Sequence, residues 1–235
     1  MATFVICHGS FGGGWSWRAV ADGLRRLGHH VFTPTLTGLG ERVHLAHPGV
    51  DLSLHIRDIE NVLIFEDLHD VVLVGHSYGG AVAAGVAERV PERLRQLIFI
   101  DALVPDSGQS VADLCPPEMV EYFKEAADAW GDGWQVPAPD AGDETRAVSQ
   151  PIKTLTEPLV RQNPKAAALP QVFIACTRRS GLFAALEPAI ERTAGRFRAE
   201  GRPCVQLAAD HSPQREHPDE VVRVLLAAVE AGGGQ

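Results

Sequence analysis

The chain has 235 residues, 45% of them apolar and 22% charged, which suits one soluble globular domain with room for a small insertion. A formal charge of −9 argues against the clustered Lys and Arg that phosphate backbones require, so neither nucleic acid nor an anionic membrane surface is expected as a partner. No apolar run approaches the ~18 residues of a membrane span. The first apolar run, Phe4 to Cys7, is too short for a signal peptide and has no charged segment before it. Cys7, Cys115, Cys176 and Cys204 are scattered without CxxC spacing and read as free thiols in a reducing compartment, so a cytoplasmic location is expected.

Along the chain, short β-branched runs alternate with amphipathic stretches. Strands are expected at Thr3 to Cys7, His30 to Thr33, Val71 to Val74 and Leu97 to Ile100. Helices are expected between them, at Trp17 to Leu27, Leu52 to Phe65 and Ala81 to Arg93, the last built from small residues suited to close packing on a sheet. Strand alternating with helix implies a mostly parallel sheet with right-handed crossovers. From residue 104 to 168 the alternation stops. Glu118 to Trp130 reads as a helix, no strand is evident, and the rest is rich in Pro, Gly and Asp. A structureless loop of that length is improbable inside a compact domain, so a cap of short helices is expected there. The pattern resumes with strand Gln171 to Cys176, helix Leu182 to Ala199, strand Cys204 to Ala208 and helix Pro218 to Ala231, followed by a frayed Gly-rich tail. The expected organisation is an α/β core of residues 1–103 and 169–235 with a helical cap inserted at 104–168.

The chemistry concentrates at Gly75-His76-Ser77-Tyr78-Gly79, a G-x-S-x-G pattern between a strand and a small-residue helix. Such a turn is sharp enough to demand glycines on both sides, and it lifts the serine hydroxyl out of the sheet. Ser77 is therefore the candidate nucleophile. A serine hydroxyl needs a base, and the base an orienting acid, in the chain order Ser, acid, His. Only His211 and His217 follow Ser77. His211 stands between a strand and the last helix and is the candidate base, whereas His217 precedes Pro218 at a helix start. Asp101, directly after a strand, is the candidate acid, with Asp106 and Asp210 as alternatives.

The first strand ends in His8-Gly9-Ser10-Phe11-Gly12-Gly13-Gly14-Trp15, where glycines permit close backbone approach to a substrate. The backbone N–H groups of Ser10 and Tyr78 are the expected oxyanion donors. The stretch has neither the Lys of a P-loop nor a G-x-G-x-x-G pattern, so phosphate binding is discounted. Phe11, His76, Tyr122 and Trp130 are the candidate substrate contacts. Tyr122, Phe123, Trp130 and Trp134 suit the lining of an aromatic acyl or alcohol pocket and equally suit packing of the cap helices on one another, and Trp15 and Trp17 suit packing of the first helix on the sheet. His44, His47 and Asp51 lack a fourth ligand nearby in sequence, so no metal site is expected.

His8-Gly-Ser-Phe-Gly-Gly-Gly-Trp-Ser-Trp17, Gly75-His-Ser-Tyr-Gly-Gly80 and Asp210-His211 resemble the methylesterase and hydroxynitrile lyase branch of the α/β-hydrolases. Pro34-Thr-Leu-Thr-Gly-Leu-Gly-Glu-Arg42 and Asp101-Ala-Leu-Val-Pro-Asp-Ser-Gly-Gln-Ser110 are similar to its bacterial members. The resemblance implies an α/β-hydrolase fold with about six strands and a helical cap. It further implies hydrolysis of a small-molecule ester without a cofactor, and a homodimer as a candidate assembly. It assigns Ser77, His211, Ser10 and Tyr78 the roles already named. Two positions depart from the branch. Its plant members carry the acid after the strand that here runs into Thr177, and this chain has Arg178 and Arg179 there. Ser212 stands where the lyases have Lys, which argues against cyanogenic chemistry. Other chemistry at the same site (lactone opening, carbon–carbon cleavage or cyclisation) and ligand binding with vestigial catalysis stay open as alternatives.

Overall fold

The computed structural model describes residues 1–138, 146–178 and 180–232. Strand β1 (Thr3–Cys7) leads through a 3-10 turn at Gly14–Trp17 into helix α1 (Arg18–Arg26), and β2 (His30–Phe32) follows. Helix α2 (Leu52–Phe65) starts where the Asp51 carboxylate accepts the Leu54 N–H at 2.8 Å, a side-chain N-cap. Next come β3 (Val71–His76), α3 (Gly79–Arg89) and β4 (Leu94–Ile100). Residues 104–168 hold α4 (Pro117–Trp130), the short strands β5 (Gln135–Val136) and β6 (Gln150–Pro151), α5 (Lys153–Thr156) and α6 (Pro164–Ala168). The chain closes with β7 (Gln171–Cys176), α7 (Glu187–Ala199), β8 (Cys204–Leu207), α8 (Pro213–Glu216) and α9 (Pro218–Gly232).

Six strands pair in the order β2-β1-β3-β4-β7-β8, every pair parallel. Alternate residues serve opposite faces. Phe4, Ile6, Val72, Val74, Ile98 and Ile174 pack with Val20 and Leu24 of α1 and Val221 and Leu225 of α9. On the other face Val5, Leu73, Phe99 and Phe173 pack with Ile56 and Ile59 of α2, Val82 and Val86 of α3, and Phe197 of α7. Burial on both faces explains why the central strands read as unbroken apolar runs. Among the described residues no helix is long and apolar enough to cross a membrane.

Helix boundaries differ from expectation where proline intervenes. The helix expected to reach Arg93 ends at Arg89, because Pro91 disfavours helical backbone at Val90 and opens a 3-10 turn of its own. The helix expected over Leu182 to Ala199 divides at Glu187, since Pro188 is tolerated only in a first turn. The 104–168 segment, expected to lack strands, contains a minimal antiparallel pair in which Val136 faces Gln150. Polar contacts fasten it to the sheet-bearing part. Glu157 accepts from the Ser53 backbone N–H at 2.8 Å and from the Ser53 hydroxyl at 2.6 Å, and Glu88 accepts from the backbone N–H groups of Gln162 and Asn163. Residues 139–145, within the stretch rich in Pro, Gly and Asp, lie outside the described residues, as do Arg179 and the tail at 233–235.

Candidate active site

Ser77 follows β3 in a turn that other residue types would not permit. A Cβ on Gly75 would lie 2.6 Å from the Gly79 carbonyl oxygen, and one on Gly79 only 2.2 Å from that of Cys7. Ser77 itself takes a left-handed φ of 53°, held by its N–H donating to Ile100 O at 3.2 Å and its carbonyl accepting from Gly80 N–H and Leu103 N–H at 3.0 Å each. Such strain persists only where surrounding bonds over-determine it. The N-terminus of α3 begins two residues later and directs its positive end toward the serine.

Asp101 occupies the same place on the next strand, immediately after β4, with φ 44° and no solvent exposure. Its N–H donates to Ile174 O at 2.8 Å, and its Oδ1 accepts from the Cys176 N–H at 2.9 Å. The other oxygen, Oδ2, accepts from His211 Nδ1 at 2.7 Å. A proton held on Nδ1 leaves Nε2 as the acceptor for the Ser77 hydroxyl, 2.8 Å away. Both His211 and Ser77 are buried. The structure thus brings Ser77, His211 and Asp101 into one hydrogen-bonded chain. The alternative carboxylates stand elsewhere: Asp106 pairs with Arg196, and Asp210 accepts from the Ser180 hydroxyl at 3.0 Å. Where the plant pattern has its acid, the Arg178 side chain is exposed, and the Arg178 backbone N–H donates to Ala209 O at 3.0 Å.

Among the described residues, neither the Ser10 nor the Tyr78 backbone N–H has a hydrogen-bond acceptor, whereas the adjoining Phe11 and Ser77 N–H groups do. Two unpaired donors flanking a serine hydroxyl suit a developing oxyanion. Their loops are buttressed by buried imidazoles. His8 donates from Nδ1 to Gly9 O at 2.8 Å and accepts the Leu36 N–H on Nε2 at 3.1 Å, and burial pushes its pKa down to about 4. His55 donates from Nε2 to Thr37 O and accepts from the Tyr78 hydroxyl on Nδ1, both at 2.8 Å, and burial lowers its pKa as well.

A narrow apolar cleft of about 50 Å³ opens on Ser77, lined by Ser10, Phe11, Leu103, Val111, Ala112, Cys115, Met119, Phe123, Leu155 and Leu186. Of the expected substrate contacts, Phe11 lines it. His76 does not: its Nε2 donates to the His211 carbonyl at 2.7 Å, its ring packs edge-on against Trp17, and burial with the neighbouring His211 drives its pKa down to about 3. Tyr122 and Trp130 do not line the cleft either, being 56% and 84% exposed, because they lie on the solvent side of α4 and at its C-terminal end. Of the four aromatics expected as possible pocket lining, Phe123 does line the cleft, and it meets the Phe11 ring edge-on at 6.5 Å. Met119 and Phe123 stand i and i+4 on α4, so helical spacing carried a signal for the shared face. Nothing in sequence spacing marks Leu155 or Leu186. Among the described residues no group of three His, Cys, Asp or Glu side chains is arranged to hold a metal ion.

Known proteins resemble this chain in sequence and fold. The chain is 48% identical over 127 residues to a carbendazim hydrolyzing esterase of Nocardioides sp. (strain SG-4G), covering 52% of each protein. It is 33% identical over 118 residues to methylesterase 1 of Arabidopsis thaliana, covering 46% of this chain and 41% of that one. The chain thus spans about half the length of the curated relatives it matches. Among solved structures, an extracellular alpha/beta-hydrolase from a Paenibacillus species, described as sharing structural and functional homology with tobacco salicylic acid binding protein 2, superposes with a TM-score of 0.83 at 27% identity, over 97% of this chain and 99% of that one. Residues 4–224 match the alpha/beta hydrolase family as a whole, and the chain belongs to that family.

Proposed function

We propose that the protein hydrolyses a small, uncharged carboxylic ester through an acyl-enzyme formed on Ser77. The observation that carries this reading is the buried chain Ser77–His211–Asp101, with bonds of 2.8 and 2.7 Å, at the floor of an apolar cleft. His211 takes the Ser77 proton as the hydroxyl oxygen attacks the ester carbonyl. Asp101 keeps the Nδ1 proton in place and stabilises the imidazolium. The N–H groups of Ser10 and Tyr78 stabilise the oxyanion. His211 then protonates the departing alcohol, and water attacks the acyl-enzyme by the same route in reverse. No cofactor enters this cycle. The names of the relatives, an esterase and a methylesterase, support the reaction class. The cleft supports an apolar substrate, since none of the described residues lining it carries a charge. In this reading residues 104–168 are the cap and the rest is the catalytic core.

The test is covalent. A fluorophosphonate should add once to the intact protein, by mass, and not at all to Ser77→Ala, while Ser77→Ala and His211→Ala each lower ester turnover by about 10⁶-fold. An adduct that survives in Ser77→Ala, or folded wild-type protein that turns over no ester and takes no probe, overturns the reading.

A further inference from the structure

Gln150 is completely buried, yet its side chain carries both donor and acceptor groups, and both kinds are engaged, one of them by a residue that lines the cleft at Ser77. Its Oε1 accepts the Phe11 N–H at 2.9 Å. The Val148 N–H donates to the Phe11 carbonyl, also at 2.9 Å, so both backbone polar groups of Phe11 are bound from the 104–168 segment. The Gln150 Nε2 donates to Thr154 Oγ1 at 2.8 Å, and the Thr154 hydroxyl donates to Pro151 O at 2.7 Å. Thr154 is itself fully buried and faces the Tyr78 phenol, whose other polar neighbour is His55.

These contacts join two loops that are far apart in sequence. Phe11 directly follows Ser10 and holds a left-handed φ of 62°, a conformation that a phenylalanine keeps only under external constraint. Tyr78 directly follows Ser77. The amide and hydroxyl of Gln150 and Thr154 therefore stand between the residues that carry, or adjoin, the two unpaired N–H groups. Oxyanion donors act only within a few tenths of an ångström of their working position, so their separation must be held by something stiffer than a glycine-rich loop. A buried side chain with every polar group satisfied is stiff in this sense.

We propose that Gln150, assisted by Thr154, is a positioning residue that sets the Ser10 N–H against the Tyr78 N–H and so makes the oxyanion site depend on the docked 104–168 segment. The inference rests on the reading of Ser77 as the nucleophile.

The experiment compares wild type, Gln150→Met and Thr154→Val, each shown to be folded by circular dichroism. Steady-state kinetics on p-nitrophenyl butyrate are combined with inhibition by an aryl trifluoromethyl ketone, which a nucleophilic serine converts to a tetrahedral oxyanion. Gln150→Met keeps the side-chain length and removes both bonds. It should lower kcat by about 10- to 100-fold, less than outright loss of a donor, with KM within threefold and ketone affinity reduced by the same factor as kcat. Thr154→Val should move both quantities in the same direction by less. A folded Gln150→Met with kcat and ketone affinity within twofold of wild type overturns the proposal, as does a raised KM with kcat unchanged. If Gln150→Met does not fold, Thr154→Val decides by the same two readouts, and no change in either overturns it. Wild-type protein that reacts with neither the ester nor a fluorophosphonate would instead overturn the reading of Ser77, taking this proposal with it.

Discussion

The sheet and the 104–168 segment meet at Ser77 but are built on different physics. The sheet supplies three of the site's side chains from the C-terminal ends of β3 and β4 and the loop after β8, the first two held by bonds to the neighbouring strand: Ser77 N–H to Ile100, Asp101 N–H to Ile174, Asp101 Oδ1 to Cys176. The segment contributes the apolar wall of the cleft through α4 and α5; its buried Val111, Met119, Val136, Leu155 and Leu159 share one apolar core with the sheet, and polar bonds such as Glu157 to Ser53 and Gln150 to Phe11 add long-range ties. In the proposed function, reactivity sits on the strand ends. Substrate selection sits on the segment that walls the cleft, where exchange of one side chain changes the cleft without touching the strand ends.

The largest expected effect tests the sheet's share. Asp101→Asn should preserve fold and shape yet lower ester turnover by about 10⁴-fold, because the amide no longer holds the required His211 tautomer. Asp106→Asn and Asp210→Asn should stay within twofold of wild type, since their partners are Arg196 and Ser180. Undiminished turnover in Asp101→Asn would return the acid to another carboxylate and break the claim that the reactive groups all come from strand ends.

The two regions should also part in acid. His8, His55 and His76 are buried in the sheet-bearing part and favour the neutral form, with pKa values lowered to about 4 for His8 and about 3 for His76, and lowered by burial for His55. Residues 104–168 contain no histidine. Below about pH 6.5 the unfolded chain binds protons that these folded imidazoles refuse, so the stabilisation present above that pH is lost as pH falls toward 4. His8 and His76 alone give a slope of about 3 kcal/mol per pH unit, a large fraction of a typical folding free energy over two units. Thermal melts between pH 7 and 4.5 should show a steep fall in Tm, and replacing His76 by Gln should flatten it. A Tm that is level from pH 7 to 5 would contradict the neutral burial of these rings.

The same contrast explains what the sequence discloses. β1, β7 and α2 are legible residue for residue, because periodic apolar patterns report faces buried against one continuous sheet. Ser77, Asp101 and His211 are legible as neighbours because each follows a strand, and parallel strands end on one edge. Beside the Arg178 departure, Asp101 reaches the end of β7 through a bond no spacing rule contains, Oδ1 to the Cys176 N–H. In the 104–168 segment local pattern reaches only as far as α4. Gln150 pairs with Phe11 across 139 residues, and a glutamine beside a proline carries no sign of that partnership. Tyr122, Phe123, Trp130 and Trp134 show the complementary limit. Aromatic character alone does not say which side of α4 turns inward; of the four, Phe123, on the face of Met119, lines the cleft.

Phe123 and Trp130 give the smallest and sharpest test. Phe123→Ala removes a ring that lines the cleft and supports Phe11, so kcat/KM for an apolar ester should fall about tenfold, the scale of a lost apolar contact in a binding pocket. Most of the fall should be in KM, because the ring touches neither His211 nor the two N–H donors. Trp130→Ala removes a larger ring that is 84% exposed, and kcat/KM should stay within twofold while stability moves by less than about 0.5 kcal/mol. Size and hydrophobicity alone would rank the two substitutions the other way. A Trp130→Ala loss that equals or exceeds that of Phe123→Ala would mean that α4 presents a different face to bound substrate, and it would move the specificity wall from the inner face of α4 to its end.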